Sequence, residues 1–126
     1  MIKRFSVTNF KNFRDTCTLD LSRIRDYSFN THLIKNNLVN KALLYGKNGS
    51  GKSNLGFALM DITTHLTDNL RNPNNYLFSL NGDCASKTMR FRYEFDFNGK
   101  EVVYGYEKNE NMVLMPLQIE FTGFLR

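Results

Sequence analysis

The chain has 126 residues, 41% of them hydrophobic and 13% aromatic, which is enough for the core of one domain and no more. No apolar run approaches the roughly twenty residues of a membrane-spanning helix, and Met1-Ile2-Lys3-Arg4-Phe5 lacks the apolar centre of a secretory signal, so a cytoplasmic protein without membrane partners is expected. The net charge of +5 suits a polyanionic partner and allows nucleic acid, although a bound triphosphate alone accounts for part of that bias.

In chain order, the pattern predicts a strand over residues 2–10, a second over 16–21, and a polar stretch through Asn40 with room for a short helix. Ala42-Leu43-Leu44-Tyr45 is a short apolar run that reads as a buried strand. It leads into Gly46-Lys47-Asn48-Gly49-Ser50-Gly51-Lys52-Ser53, which fits G-x-x-x-x-G-K-[ST], the phosphate-cradling P-loop. Glycines in such a loop let successive backbone N–H groups turn inward onto a polyphosphate, and the positive end of the following helix adds to the attraction. Lys52 is expected to reach the β and γ phosphates of ATP, and the Ser53 hydroxyl to ligate Mg²⁺. Leu55, Leu59, Ile62, Leu66 and Leu70 recur at three- and four-residue intervals, as a helix leaving the loop requires.

Beyond the breaker Asn72-Pro73, residues 89–97 alternate apolar and polar without a fault, Asn98-Gly99 supplies a two-residue hairpin turn, and Val102, Tyr104 and Tyr106 share one face of the return strand. A third strand is expected over 112–121. Arg90 and Arg92 on one face with Phe91, Tyr93 and Phe95 on the other invite a single-strand stacking surface, but a sheet with one buried face gives the same alternation, and core aromatics are the favoured reading. Cys17 and Cys84 lack metal-ligand spacing and read as free thiols, and His32 and His65 stand alone. The sixteen asparagines cluster as loop punctuation.

Hydrolysis by a P-loop enzyme also needs a carboxylate that holds Mg²⁺ through water and a group that orients the attacking water. The one apolar run ending in an acid, Phe57-Ala58-Leu59-Met60-Asp61, lies inside the helix after the loop, about two turns from the phosphates, so Asp61 does not fill that role. With a single strand-loop-helix unit, residues 1–126 are expected to form one partial domain of a larger catalytic unit.

Residues 1–21, with Asn9-Phe10-Lys11-Asn12-Phe13 and Leu19-Asp20-Leu21, together with residues 46–54, resemble the N-terminal lobe of ABC-type ATPases of the RecF, SMC and OLD group; Asn48-Gly49 and Asn54 are typical of it. The resemblance implies an α/β P-loop NTPase fold: the N-terminal part of an ABC-ATPase-like head, with the P-loop strand and helix beside an antiparallel β-subdomain. It also implies a phosphate contact from Lys11, with Asn12 as its neighbour, and offers Gln118 for a Mg²⁺-sensing role, although simple strand alternation through residues 117–121 explains that glutamine. The implied partners are ATP, a second head or the remainder of a larger ATPase, and DNA, in repair or in defence against phage and other foreign DNA. The competing expectations are a nucleotide-binding regulatory module that never hydrolyses ATP and, with less support, a P-loop kinase.

Overall fold

The computed structural model describes residues 1–24, 31–67, 79–83, 85–109 and the backbone of 118–122. In it, β1 (Ile2–Thr8), β2 (Cys17–Asp20), β5 (Thr88–Phe97), β6 (Lys100–Asn109) and β7 (Gln118–Thr122) form one sheet in the order β2-β1-β5-β6-β7, with every pairing antiparallel. A small hairpin, β3 (Ile34–Lys35) with β4 (Leu38–Val39), follows a single 3₁₀ turn at Thr31–Leu33. The one α-helix among the described residues, α1 (Lys52–Thr67), lies against one face of the sheet.

Alternation decides which side chains meet that helix. Phe5 and Val7 of β1, Met89, Phe91 and Tyr93 of β5 and Tyr106 of β6 point to the covered face, and all are buried together with Phe10 and Ala58. Each large side chain removed from water in this way contributes about 1.5–3 kcal/mol. The rings interlock, with Phe5 and Tyr93 at 4.9 Å and Phe91 and Tyr106 at 5.1 Å between centroids. The Tyr93 hydroxyl donates to the Ala58 carbonyl across the layer at 2.8 Å. The opposite face carries Arg4, Ser6, Thr8, Arg90, Arg92 and Glu94.

This architecture corrects the expected fold class. Among the described residues there is no parallel strand pair, and the α/β P-loop NTPase head is replaced by a small antiparallel β-sheet carrying one helix. The decisive segment is 42–45, which forms no strand: Leu43, Leu44 and Tyr45 are 86%, 56% and 86% exposed. The physical reason is non-local. A parallel strand is buried only when a crossover of a dozen or more residues returns a second strand to its side, and the single helix here returns the chain to an antiparallel strand, β5.

Smaller departures have local causes. The predicted helical stripe holds at Leu55, Leu59 and Ile62, which pack on the core, whereas Leu66 is 64% exposed and Leu70 lies outside the described residues. The inward face turns instead through Ala58 and Asp61, both buried. The breaker at 72–73, Cys84 and most of the third predicted strand, residues 112–117, also fall outside the described residues.

Candidate functional site

Residues 46–53 are solvent-facing and end in the first turn of α1, whose first backbone bond runs from Leu55 N–H to the Gly51 carbonyl at 2.9 Å. Gly49 and Gly51 take φ of +82° and +95°, the left-handed region that glycine enters at no steric cost. Between them the chain turns tightly, with Ser50 N–H bonded to the Lys47 carbonyl at 3.2 Å. The concavity so formed has a volume of about 300 Å³ and is lined by Asn48, Gly49, Gly51, Lys52, Ser53 and Asn54. That is at the small end of ligand pockets and suits a phosphate chain better than a whole nucleotide.

The ammonium of Lys52 folds back over the loop, donating to the Gly46 and Lys47 carbonyls at 2.7 Å each and to Ser50 Oγ at 3.3 Å. Its positive charge therefore lies at the cradle, held by contacts that phosphate oxygens can replace. Ser53, in the first helical turn, is exposed with its hydroxyl available as a hard oxygen ligand. No cluster of three or more His, Cys, Asp or Glu side chains able to hold a metal occurs among the described residues. The donor set at Ser53 fits Mg²⁺ only as Mg²⁺ is held in phosphate sites, by one protein oxygen with the remainder from phosphate and water.

The β1–β2 turn packs beside the loop. Phe10 and Phe13 exchange backbone bonds of 3.0 and 2.8 Å, leaving Lys11 and Asn12 at the tip. Asn12 Oδ1 accepts from Asn54 Nδ2 of α1 at 2.8 Å, and its carboxamide lies against Gly51 so closely that a Cβ there would collide with it. Lys11 has φ of +49°, a conformation that costs a long L side chain energy. Its ammonium lies 5.8 Å from the Phe10 ring and 6.0 Å from the Phe57 ring of α1, one turn along from the loop.

Asparagine side chains fix this tip. Buried Asn9, at φ +57°, donates to the Ser86 and Thr88 carbonyls at 2.9 Å each and accepts from Asn81 N–H at 3.2 Å. Asn81 Nδ2 in turn donates to the Lys11 carbonyl at 2.7 Å.

Of the residues expected at the site, the structure brings together 46–54 and Asn12, with Lys11 beside them. Gln118 opens β7, paired by register with Gly105, on a strand separated from β1 by β5 and β6. Three strand spacings of about 4.8 Å put its backbone roughly 14 Å from β1.

The structure adds a buried polar cluster that the sequence reading missed. Asp61 Oδ2 accepts from Lys108 Nζ at 2.7 Å and from the Tyr106 hydroxyl at 2.6 Å, and Asp61 Oδ1 has no partner among the described residues. Burial, with Tyr93 and Asp61 alongside, pushes the Tyr106 hydroxyl far above the ordinary phenol range. His65 stacks on Tyr106 at 4.1 Å and shares a 2.7 Å bond with the Tyr104 hydroxyl, while burial and the Lys108 charge lower its pKa against the opposing pull of Asp61. Asp61 is thus an anchor of α1 on the sheet. The signal was present in the hairpin: pairing outward from Asn98-Gly99 sets Lys108 opposite Met89, on the apolar face, where a lysine needs an acid.

The arginine face does not form a free basic stripe. Arg90 pairs with Glu107 at 2.8 Å, Arg92 with Glu94 at 3.3 Å and Arg4 with Glu94 and Asp20 at 3.0 and 3.3 Å. Phe91 and Tyr93 are wholly buried, so neither is available to stack on a base.

The fold and loop together define a small antiparallel β-sheet domain with a glycine-rich turn at the N-terminus of α1. Neither a scan of protein-family models nor a search of curated proteins finds a match to it. No helix among the described residues is long and apolar enough to cross a membrane.

Proposed function

We propose that this chain binds Mg·ATP through residues 46–54, with the phosphates on the loop amides and Lys52, Mg²⁺ on Ser53, and Lys11 and Asn12 closing the opposite side. The observation that carries this reading is the pair of left-handed glycines at 49 and 51, which turn the loop onto the start of α1 beneath the Lys52 ammonium. The strained backbone of Lys11 beside the loop supports its part, since such conformations collect at binding sites.

Resemblance of residues 1–21 and 46–54 to RecF, SMC and OLD proteins supports ATP as the nucleotide. On the same ground we assign the chain to ATP-dependent work on DNA, in repair or in defence against foreign DNA, with a second copy or a further polypeptide completing the ATPase. The capture of Asp61, the one acid of α1, by Lys108 and Tyr106 leaves the helix without a free carboxylate for hydrolysis. The same capture favours, as a second reading, a module that binds ATP without turnover.

Calorimetric titration with Mg·ATP tests the first claim. The wild-type chain should bind, and Lys52→Ala should bind at least about thirtyfold more weakly, the loss of one charge-assisted contact of roughly 2 kcal/mol. Equal affinity in the two proteins, or none in the wild type, sinks the reading. Phosphate release that Lys52→Ala abolishes would exclude the module without turnover.

A further inference from the structure

Three Asn-Gly pairs occur in the chain, at 48–49, 81–82 and 98–99, and the structure treats them differently. This dipeptide is the one most open to spontaneous deamidation, because glycine presents its backbone nitrogen without a Cβ to shield it. At 81–82 the carboxamide is held at both ends, Nδ2 on the Lys11 carbonyl at 2.7 Å and Oδ1 on Asp83 N–H at 3.0 Å. At 98–99 the attacking nitrogen is occupied, Gly99 N–H donating to Asp96 Oδ1 at 2.8 Å within a paired hairpin.

At 48–49 neither restraint exists. Asn48 is exposed, and among the described residues neither its carboxamide nor Gly49 N–H has a hydrogen-bond partner. Beyond its two chain neighbours, no heavy atom lies within 4 Å of the space where a Gly49 Cβ would stand. The pair occupies the centre of the Lys47–Ser50 turn, just before α1, whose positive end favours charge developing on that nitrogen.

We propose that Asn48 is a deamidation site built into the phosphate loop, and that its conversion disables the loop. The Gly49 nitrogen, losing its proton, bonds to Asn48 Cγ as the Cγ–Nδ2 bond breaks and ammonia leaves. Water then opens the succinimide at either carbonyl, giving aspartate or isoaspartate. Both products put a carboxylate into a wall of the cavity, and isoaspartate also adds a methylene to the main chain immediately before the left-handed Gly49. A negative charge there repels the phosphates that the loop gathers. The chemistry stands on the loop geometry alone; the loss of function rests on the nucleotide reading above, under which bound Mg·ATP also shields the site.

The full chain is aged in mildly alkaline buffer at physiological temperature and mapped by peptide mass spectrometry, native, in denaturant, and native with saturating Mg·ATP. Native conversion at 48 should exceed that at 81 and 98 by about tenfold or more, and the three should converge in denaturant. Conversion at 81 or 98 as fast as at 48 in the native chain overturns the proposal. Mg·ATP should slow conversion at 48 alone, and Asn48→Asp should bind Mg·ATP about a hundredfold more weakly than fresh protein. If fresh protein binds Mg·ATP and Asn48→Asp binds it equally well, the disabling step is refuted. If 48 converts first but fresh protein binds no Mg·ATP, the modification site stands and the nucleotide reading falls.

Discussion

Gly51→Ala puts a methyl where the structure leaves no space for one. Its Cβ would press into Asn12 Nδ2, with Asn12 Cγ and Oδ1 at 3.0 Å, on a backbone at φ +95°. The backbone strain alone costs about 1–2 kcal/mol. Asn12 is exposed and can swing aside, but only by giving up its 2.8 Å bond to Asn54, worth about 1 kcal/mol. Urea unfolding should therefore show Gly51→Ala less stable by about 2–3 kcal/mol. Gly49→Ala, at φ +82° with open space around it, carries the strain and no collision, about 1–2 kcal/mol. In an Asn12→Ala background the collision is gone, so Gly51→Ala should cost no more than Gly49→Ala, leaving a coupling of about 1 kcal/mol between positions 12 and 51. Equal costs for the two glycines in the wild-type background, or no coupling, would refute the claim that the β1–β2 turn is seated on the glycine-rich loop.

Lys108→Met removes the cation from buried Asp61 and should cost about 3–5 kcal/mol in the same assay; adding Asp61→Asn should restore at least about 1 kcal/mol, and a Lys108→Met protein as stable as wild type would show the pair to be dispensable. The pH dependence of stability should fall in two windows. His65 has a folded pKa below its ordinary 6.5, so the unfolded chain protonates first, and stability should decline as pH drops below about 6.5; His65→Phe should flatten that limb in pH-dependent urea titrations. Asp20, held by the Ser22 hydroxyl and N–H and by Arg4, has its pKa lowered from 3.8 to about 2, so its contribution is complete above about 4 and is lost as pH falls through 2, a loss that Asp20→Asn should not show.

Where spacing or turn chemistry is local, the sequence was a sufficient guide. The loop is written in three glycines, a lysine and a serine, and the hairpin in nine alternating residues and Asn98-Gly99, whose register runs from Phe97↔Lys100 to Thr88↔Asn109. The asparagines read as turn residues hold at Asn36, Asn37 and Asn98, all at positive φ, while Asn9, expected inside the first strand, ends it with φ +57°. What could not be read was non-local. An apolar run such as Leu43-Leu44-Tyr45 has the composition of a buried strand whether or not a neighbour covers it, and here none of the described residues does. The helix phase failed for a related reason, since counting leucines favoured Leu66, while the sheet selected Asp61 and His65 because Lys108 and Tyr106 wait opposite them.

That selection bears on how α1 serves the loop. A glycine-rich turn in water has no reason to hold one shape, and its amides gather a phosphate only if the helix end behind them is fixed. Besides the bonds from Tyr93 to the Ala58 carbonyl and between His65 and Tyr104, two side-chain attachments fix it. Asn12 grips Asn54 in the first turn, and some two turns further on Asp61 is locked to Lys108 and Tyr106 at 2.7 and 2.6 Å. The first joins the loop to β1 and β2, the second joins the same helix to β6, so the helix is tied across most of the sheet's width while Leu55, Ala58, Leu59 and Ile62 fill the layer between. An aliphatic residue at 61 would bury as much surface but would slide along its neighbours; a charge-paired carboxylate fixes rotation and height together. Under the proposed Mg·ATP reading, Lys108→Met should thus loosen binding although position 108 lies outside the loop, whereas Leu66→Ala, at an exposed site on the same helix, should leave affinity unchanged. Equal affinities for Lys108→Met and wild type, measured where both are folded, would mean that the loop orders itself without the sheet.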